Sequence, residues 1–345
     1  MAGVEFLMMT ESNKRRNWPK YLIGATITVL CLVIIARQVN ISEVIAALEN
    51  FQWEYLAMGI ASLAFGYSLR IFRWALMLSA TGTKIKCSTC AAPFLGSIAL
   101  NNILPLRLGD VVRAFVFPSA MGISKTVATT SLIMERLIDL MTLLGCLAIG
   151  LVILSGTHLP PLIAESAVTM AIVGGVTLIL GFLFSGSLAR YITKIALRRS
   201  SSNGPDRLYK LLVIVSDLLS SFEVMSRPKV LFYIIIISMF VWVGESGLFY
   251  FLLVGFNFNA TPAVAVVVMS IATLSTLVPS SPGYVGPFHL AAFAAVSMLG
   301  GTAAQAGSYA ILSHLALWLP TTLAGAIAIL MKPELFRTIH SRSAS

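Results

Sequence analysis

Apolar runs at residues 21–36, 54–79, 126–154, 166–186, 230–254 and 305–331, separated by short polar segments, confine this chain to a lipid bilayer. A spanning helix needs about 20 mainly apolar residues. Inside lipid every backbone polar group has to be satisfied within the protein, which selects helices over open strands. The composition agrees: 57% of the 345 residues are hydrophobic and 11% charged, against roughly 25% charged in an average soluble domain. The expected fold class is an all-α polytopic membrane protein, and the 345 residues leave no room for a separate soluble catalytic domain.

The net charge of +10 would point to nucleic acid in a soluble protein. Here the Lys and Arg fall in short segments between apolar runs, the pattern of the positive-inside rule, so no nucleic-acid partner is expected. That rule places both termini and a loop at 187–228 in the cytoplasm, and the uncharged loops at 155–165 and 255–261 outside. Lys14, Arg15, Arg16 and Lys20 precede the first apolar run as in a signal peptide, but the run ends in Ala36-Arg37-Gln38 with no small-residue cleavage site, so a retained helix is expected. After it, Ile41, Val44, Ile45 and Leu48 recur at helical spacing over 37–53, an interfacial pattern. In the next span Arg70 and Arg73 are expected to snorkel to the cytoplasmic headgroups. Cys87 and Cys90 form a single CxxC without further ligands nearby, two thiols in a loop, and no metal site is expected.

Two stretches break the apolar pattern. NNILPLRLGDVVRAF, 101–115, carries Arg107, Asp110 and Arg113 beside Pro105 and Gly109; TLVPSSPGYVGPFHLAAF, 276–293, repeats the spacing of Pro105, Gly109 and Val111 with Pro279, Gly283 and Val285. The apolar pieces on either side of each break are too short to cross a bilayer alone. Unwound backbone at membrane depth is tolerated only where it is buried in protein or lines a wet cavity. Hairpins at 91–118 and 262–300, dipping in from opposite faces, keep every basic cluster inside. The expected organisation is one transmembrane domain, residues 1–345, with halves at about 21–186 and 229–331 joined by the 187–228 loop. Within that loop RRSSSNGPD reads as a linker and 208–225 as an amphipathic interfacial helix. Inverted repeats with broken helices are a common way to build a transporter site.

At the first break Asp110 is placed to cap the second half-helix, and that helix terminus together with Arg113 favours an anion. At the second, Gly286 and Pro287 provide the corresponding helix start. Glu135 and Asp139 share a helix face, i and i+4, beside Arg136; they either neutralise Arg107 and Arg113 in an empty site or form a structural ion-pair network. Glu245, in VWVGESGLFY, has no basic neighbour on its own helix and is either a proton-coupling carboxyl or a hydrogen-bonded structural one. No GxSxG, HExxH, Walker loop or GxGxxG occurs, so no enzyme activity, nucleotide site, metal or cofactor is expected.

The pattern N-x-L-P-x-R-x-G-D-x-x-R, carried by Asn102, Leu104, Pro105, Arg107, Gly109, Asp110 and Arg113, is followed by E-R-L-x-D at Glu135, Arg136, Leu137 and Asp139. Later comes P-x-x-P-G-x-x-G at Pro279, Pro282, Gly283 and Gly286. Together they resemble the membrane region of the lysylphosphatidylglycerol synthase and flippase family. The resemblance implies a flippase-like protein that moves lipid across the bacterial cytoplasmic membrane, with relatives beside or fused to lipid-linked sugar enzymes. The chain lacks that family's soluble aminoacyl-transfer region. It has Asp110 where the family often has Glu, and His289 where the second motif usually ends in Glu, a change that points to an anionic headgroup.

The expected headgroup site is Asn102, Arg107, Asp110, Arg113, Glu135, Arg136, Asp139, Ser280, Ser281, Gly283 and His289, with Glu245 as the coupling candidate. The expected function is a lipid translocase, its partners a membrane lipid and a separately encoded lipid-modifying enzyme. A non-catalytic subunit of lipid-linked glycan synthesis and a transporter of a small soluble anion remain alternatives.

Overall fold

Side-chain caps set several helix starts. Asn40, Ser124, Thr261 and Thr302 each accept a backbone N–H from the first turn of the helix that follows, and Gln305 returns the bond to the Thr302 N–H. The structure, a computed structural model, describes residues 24–154, 161–203 and 207–335. Among these residues all regular structure is helical and no strand occurs.

Helix α1 (Gly24–Ala36) bends by 81° into α2 (Ile41–Glu49). Then follow α3 (Trp53–Ala80), α4 (Cys87–Ile103), α5 (Leu108–Phe115), α6 (Phe117–Met121), α7 (Lys125–Ile153), α8 (Pro161–Asn203), α9 (Arg207–Met225), α10 (Pro228–Gly255), α11 (Pro262–Ser275), α12 (Pro287–Met298) and α13 (Ala303–Met331). Four of these, α3, α7, α10 and α13, are long and apolar enough to cross a bilayer, and the bent α1–α2 pair makes up to five spans. At 1.5 Å per residue their 28 or 29 residues reach about 42 Å, beyond a hydrocarbon core of about 30 Å.

The segment after 186 differs from the expected polar loop. Helix α8 continues unbroken to Asn203, and α9 folds back along it with Ser216 donating to the Ala189 carbonyl and Arg190 paired with Glu223. Serine lowers helix propensity only modestly, so the helix runs on through the Ser-rich stretch. Residues 155–160 of the expected outer loop and 204–206 of the expected linker lie outside the described residues.

The central seam joins α3 and α10, antiparallel. Ser62 donates to the Gly244 carbonyl at 2.8 Å, and a Cβ on Gly244 would stand 2.8 Å from the Cα of Gly66, so only small residues permit this approach. Helix α13 packs along α4, with Gly325 against Leu95 and Ala99, and Asn102 donating to Thr321 and Thr322.

The two hairpins enter from opposite ends of the bundle. Helix α4 starts beside the beginning of α7, where Cys90, Phe94, Ile123 and Ala128 share a cluster with Trp74. Helix α11 starts beside the end of α7, where Gly150 meets Ala263 and Val267. Their tips touch, Arg107 donating to the Thr276 carbonyl at 3.1 Å, and Trp318 of α13 donates to the Asn102 carbonyl at 3.3 Å. A large apolar core beside the second tip, including Phe249, Phe288 and Tyr309, holds α10 to α13 together.

Candidate functional site

Helix α4 stops at Ile103 because Pro105 cannot continue the ladder. The chain then turns through Leu106 (φ 58°) and Arg107 (φ 53°), two left-handed residues that are not glycine, an arrangement costing about 1–3 kcal/mol per residue and kept only where surrounding contacts impose it. Helix α5 then doubles back so tightly that a Cβ on Gly109 would lie 1.9 Å from the Ser97 carbonyl oxygen. Asn101 clamps the fold-back, accepting from the Asp110 N–H at 3.1 Å and donating to its carboxylate at 2.9 Å. Asp110 therefore does not cap α5 as expected; the helix begins two residues earlier, and Asp110 sits in its first turn.

The second tip is a single turn at Pro282–Tyr284, and Gly286 then caps α12, which starts at Pro287. His289 lies in the first turn of α12, its Nδ1 accepting the Gly286 N–H at 3.5 Å, and its ring stands 4.5 Å from that of His314. Ser281 exchanges hydrogen bonds with Thr28 of α1, whose hydroxyl also reaches the Val285 carbonyl.

Between the tips and helices α3, α7, α10 and α13 lies a chamber of about 190 Å³, with charged side chains set among apolar ones. Of the residues singled out in the sequence, Asn102, Arg107, Glu135, Arg136, Asp139, Gly283 and Glu245 line it. Asp110, Arg113 and His289 do not. Ser280 and Ser281 line a second, apolar gap between Leu104–Arg107 and Thr276–Tyr284, which shares Asn101, Arg107, Thr276, Leu277, Gly283 and Tyr284 with the chamber.

The charges are paired across helices. Arg136 holds both carboxylate oxygens of Asp110 at 2.9 Å. Arg113 bonds Glu135 at 2.8 Å, with the two side chains 1% and 2% exposed, and its guanidinium is sandwiched between Trp74 and Phe94. Asp139 takes Arg73 at 2.6 Å and Arg70 at 3.1 Å, and Arg70 also holds Glu245 at 2.6 Å. Arg70 and Arg73 thus do not snorkel. They are buried, and Arg70 lines the chamber, tying α3 to α7 and α10. The basic partner missing from Glu245's own helix comes from α3. Neither Arg107 nor Arg113 is neutralised by Asp139.

Arg107 is the exception. Its guanidinium meets the Thr276 carbonyl and hydroxyl and faces the Tyr284 ring at 5.6 Å, and among the described residues no carboxylate pairs with it. Asn101, Tyr284 and His314 also belong to the site and were missed. The doubled Asn101-Asn102 beside a Pro break was the available signal for the first; the other two are recognisable only through contacts across the tips.

Two broken hairpins meeting from opposite ends around a charged interior chamber, inside a bundle of membrane-length helices, define a polytopic helical membrane protein with a buried polar site. The chain belongs to the family described as the lysylphosphatidylglycerol synthase TM region, whose model matches residues 21–325. It is also similar to a protein named glycosyltransferase AglD from Haloferax volcanii, 25% identical over 320 residues, which cover 84% of this chain. The match spans about half of that relative, 51% of its length. No solved structure matches the chain.

Proposed function

We propose that the protein is a lipid translocase of the cytoplasmic membrane that carries a phospholipid or lipid-linked headgroup through the chamber without chemical change. The observation that supports this best is that the chamber, which carries the charged side chains, shares a rim with an apolar gap. A soluble anion needs only the chamber; a lipid needs a polar place for its headgroup and an apolar exit for its chains at the same level. The gap is flanked by Leu106, Leu277 and Val278, all large apolar side chains left exposed. A headgroup crossing hydrocarbon without water loses its hydrogen bonds, and the arginines and hydroxyls of the chamber replace them. The name of the Haloferax relative favours one second reading, a membrane half that serves lipid-linked glycan synthesis; both readings put a lipid in this chamber.

The test is to close the gap. In a protein whose native cysteines are replaced, Leu106→Cys and Val278→Cys joined by a short reducible bifunctional thiol reagent should stop lipid translocation in proteoliposomes, and reduction should restore it. Undiminished movement with the tips joined would remove the lateral route.

The same reading has inverted repeats and both termini inside, because that orientation gathers the basic clusters in the cytoplasm. In intact cells an impermeant thiol reagent should label Asn259→Cys and leave Lys84→Cys untouched until lysis. The reverse pattern would invert the topology.

A further inference from the structure

The charge balance between the hairpins is uneven in one direction. Arg70, Arg73, Arg107, Arg113 and Arg136 face Asp110, Glu135, Asp139 and Glu245, and every one of these carboxylates is already held by an arginine. The cation left over is Arg107, and it stands on the rim where chamber and gap meet. The buried polar atoms without a partner lean the same way. Among the described residues the fully buried ones are arginine nitrogens, the indole N–H of Trp242, and the hydroxyls of Ser270 and Thr273, with no carboxylate or amide oxygen among them. Trp242 and Thr273 belong to the chamber wall, and the Arg70 guanidinium lies 4.9 Å from the Trp242 ring. The wall therefore has spare donors and one positive charge, that of Arg107, with no carboxylate of its own.

Resting on the translocase reading, we propose that Arg107 is the phosphate anchor of this site, and that the transported lipid has a net anionic phosphate headgroup rather than an aminoacylated or other cationic one. A lipid phosphodiester carries one negative charge and only acceptor oxygens, which complements the single unpaired guanidinium and its planar donor fork. In a lipid the phosphate sits between headgroup and chains, as Arg107 sits between chamber and gap. An ammonium beyond that phosphate would enter a chamber whose carboxylates, Glu135, Asp139 and Glu245, are each already held by an arginine, and would have to displace Arg70 or Arg113 to be received. Like charges brought together in a desolvated site are selected against. The family name contains a cationic lipid; this chain's pairing leaves no place for it.

The experiment uses the full-length protein in phosphatidylcholine vesicles with trace acyl-labelled lipids, and reads the rate at which each becomes accessible to an impermeant quencher. It is paired with thermal unfolding in detergent in the presence of short-chain versions of the same lipids. Phosphatidylglycerol and phosphatidic acid should move, and should stabilise the protein, with an apparent affinity at least about tenfold above that of lysylphosphatidylglycerol or phosphatidylcholine, the scale of one charge-assisted hydrogen bond. Lysylphosphatidylglycerol moved as fast as phosphatidylglycerol would overturn the anchor assignment and leave the translocase reading standing. If no lipid moves but the anionic ones alone stabilise, the anchor stands and the translocase reading falls. Equal stabilisation by all headgroups, or by inorganic phosphate as strongly as by lipid, would overturn the proposal.

Discussion

Arg107→Gln reduces binding and translocation of an anionic lipid by about 10- to 100-fold, the range expected for losing one hydrogen bond to a charged group, while the protein inserts and folds. The expectation follows from what Arg107 lacks. It has no carboxylate partner, so its removal strands no buried charge; the fold loses one hydrogen bond to the Thr276 carbonyl, about 1 kcal/mol. Arg107→Lys keeps the charge and loses the planar fork, so it should retain part of the activity. Translocation assays in proteoliposomes beside melting curves in detergent check both halves. A stable Arg107→Gln protein with full translocation would exclude the headgroup role, and an unfolded one would show that the residue holds the break rather than the lipid.

Arg113 responds in the opposite way. Sequence places it one turn inside the second half-helix, where a headgroup would meet it, but the structure buries it between Trp74 and Phe94 with Glu135 as its partner. Arg113→Gln leaves the buried Glu135 carboxylate without its cation, at a cost of about 3–5 kcal/mol for a broken buried pair. The melting temperature should fall steeply. The Arg113→Gln, Glu135→Gln double variant should recover most of the loss, because two neutral amides of similar shape satisfy each other. Lipid translocation measured on the stable double variant should then approach that of the parent. A double variant that folds and still fails to bind lipid would return Arg113 to the headgroup.

The two residues show what the sequence carries and what it does not. The positions of the breaks were legible because Pro105, Gly109, Pro282 and Gly286 interrupt apolar runs by local chemistry alone. So was the set of ionisable residues that had to be buried together, since charge at membrane depth is costly wherever it occurs. Pairing was not legible. The partners of Asp139 lie 66 and 69 residues away and that of Glu245 lies 175 away, and periodicity reports which face of a helix is apolar, not which neighbour meets it. Arg70 and Arg73 sit in the second half of α3, where snorkelling is the ordinary outcome; Asp139 of α7 and Glu245 of α10 hold them inward instead. Asp110 misled as a cap because the left-handed turn at Leu106 and Arg107 starts α5 early, a conformation that local preference opposes.

That left-handed turn also bears on biosynthesis. Beyond the local Asn101–Asp110 clamp, what holds it arrives late: Arg107 leans on Thr276, 169 residues further along the chain, and Asn102 on Thr321 and Thr322, 219 and 220 residues further. When α4 and α5 leave the ribosome none of these anchors has been made, and the local backbone preference is against the turn. Asp110 and Arg113 can pair with Arg136 and Glu135 as soon as α7 follows, but the turn between them gains its tertiary support only once α11 and α13 have been inserted, so a chain that stalls after α10 would hold paired charges around an unsupported turn.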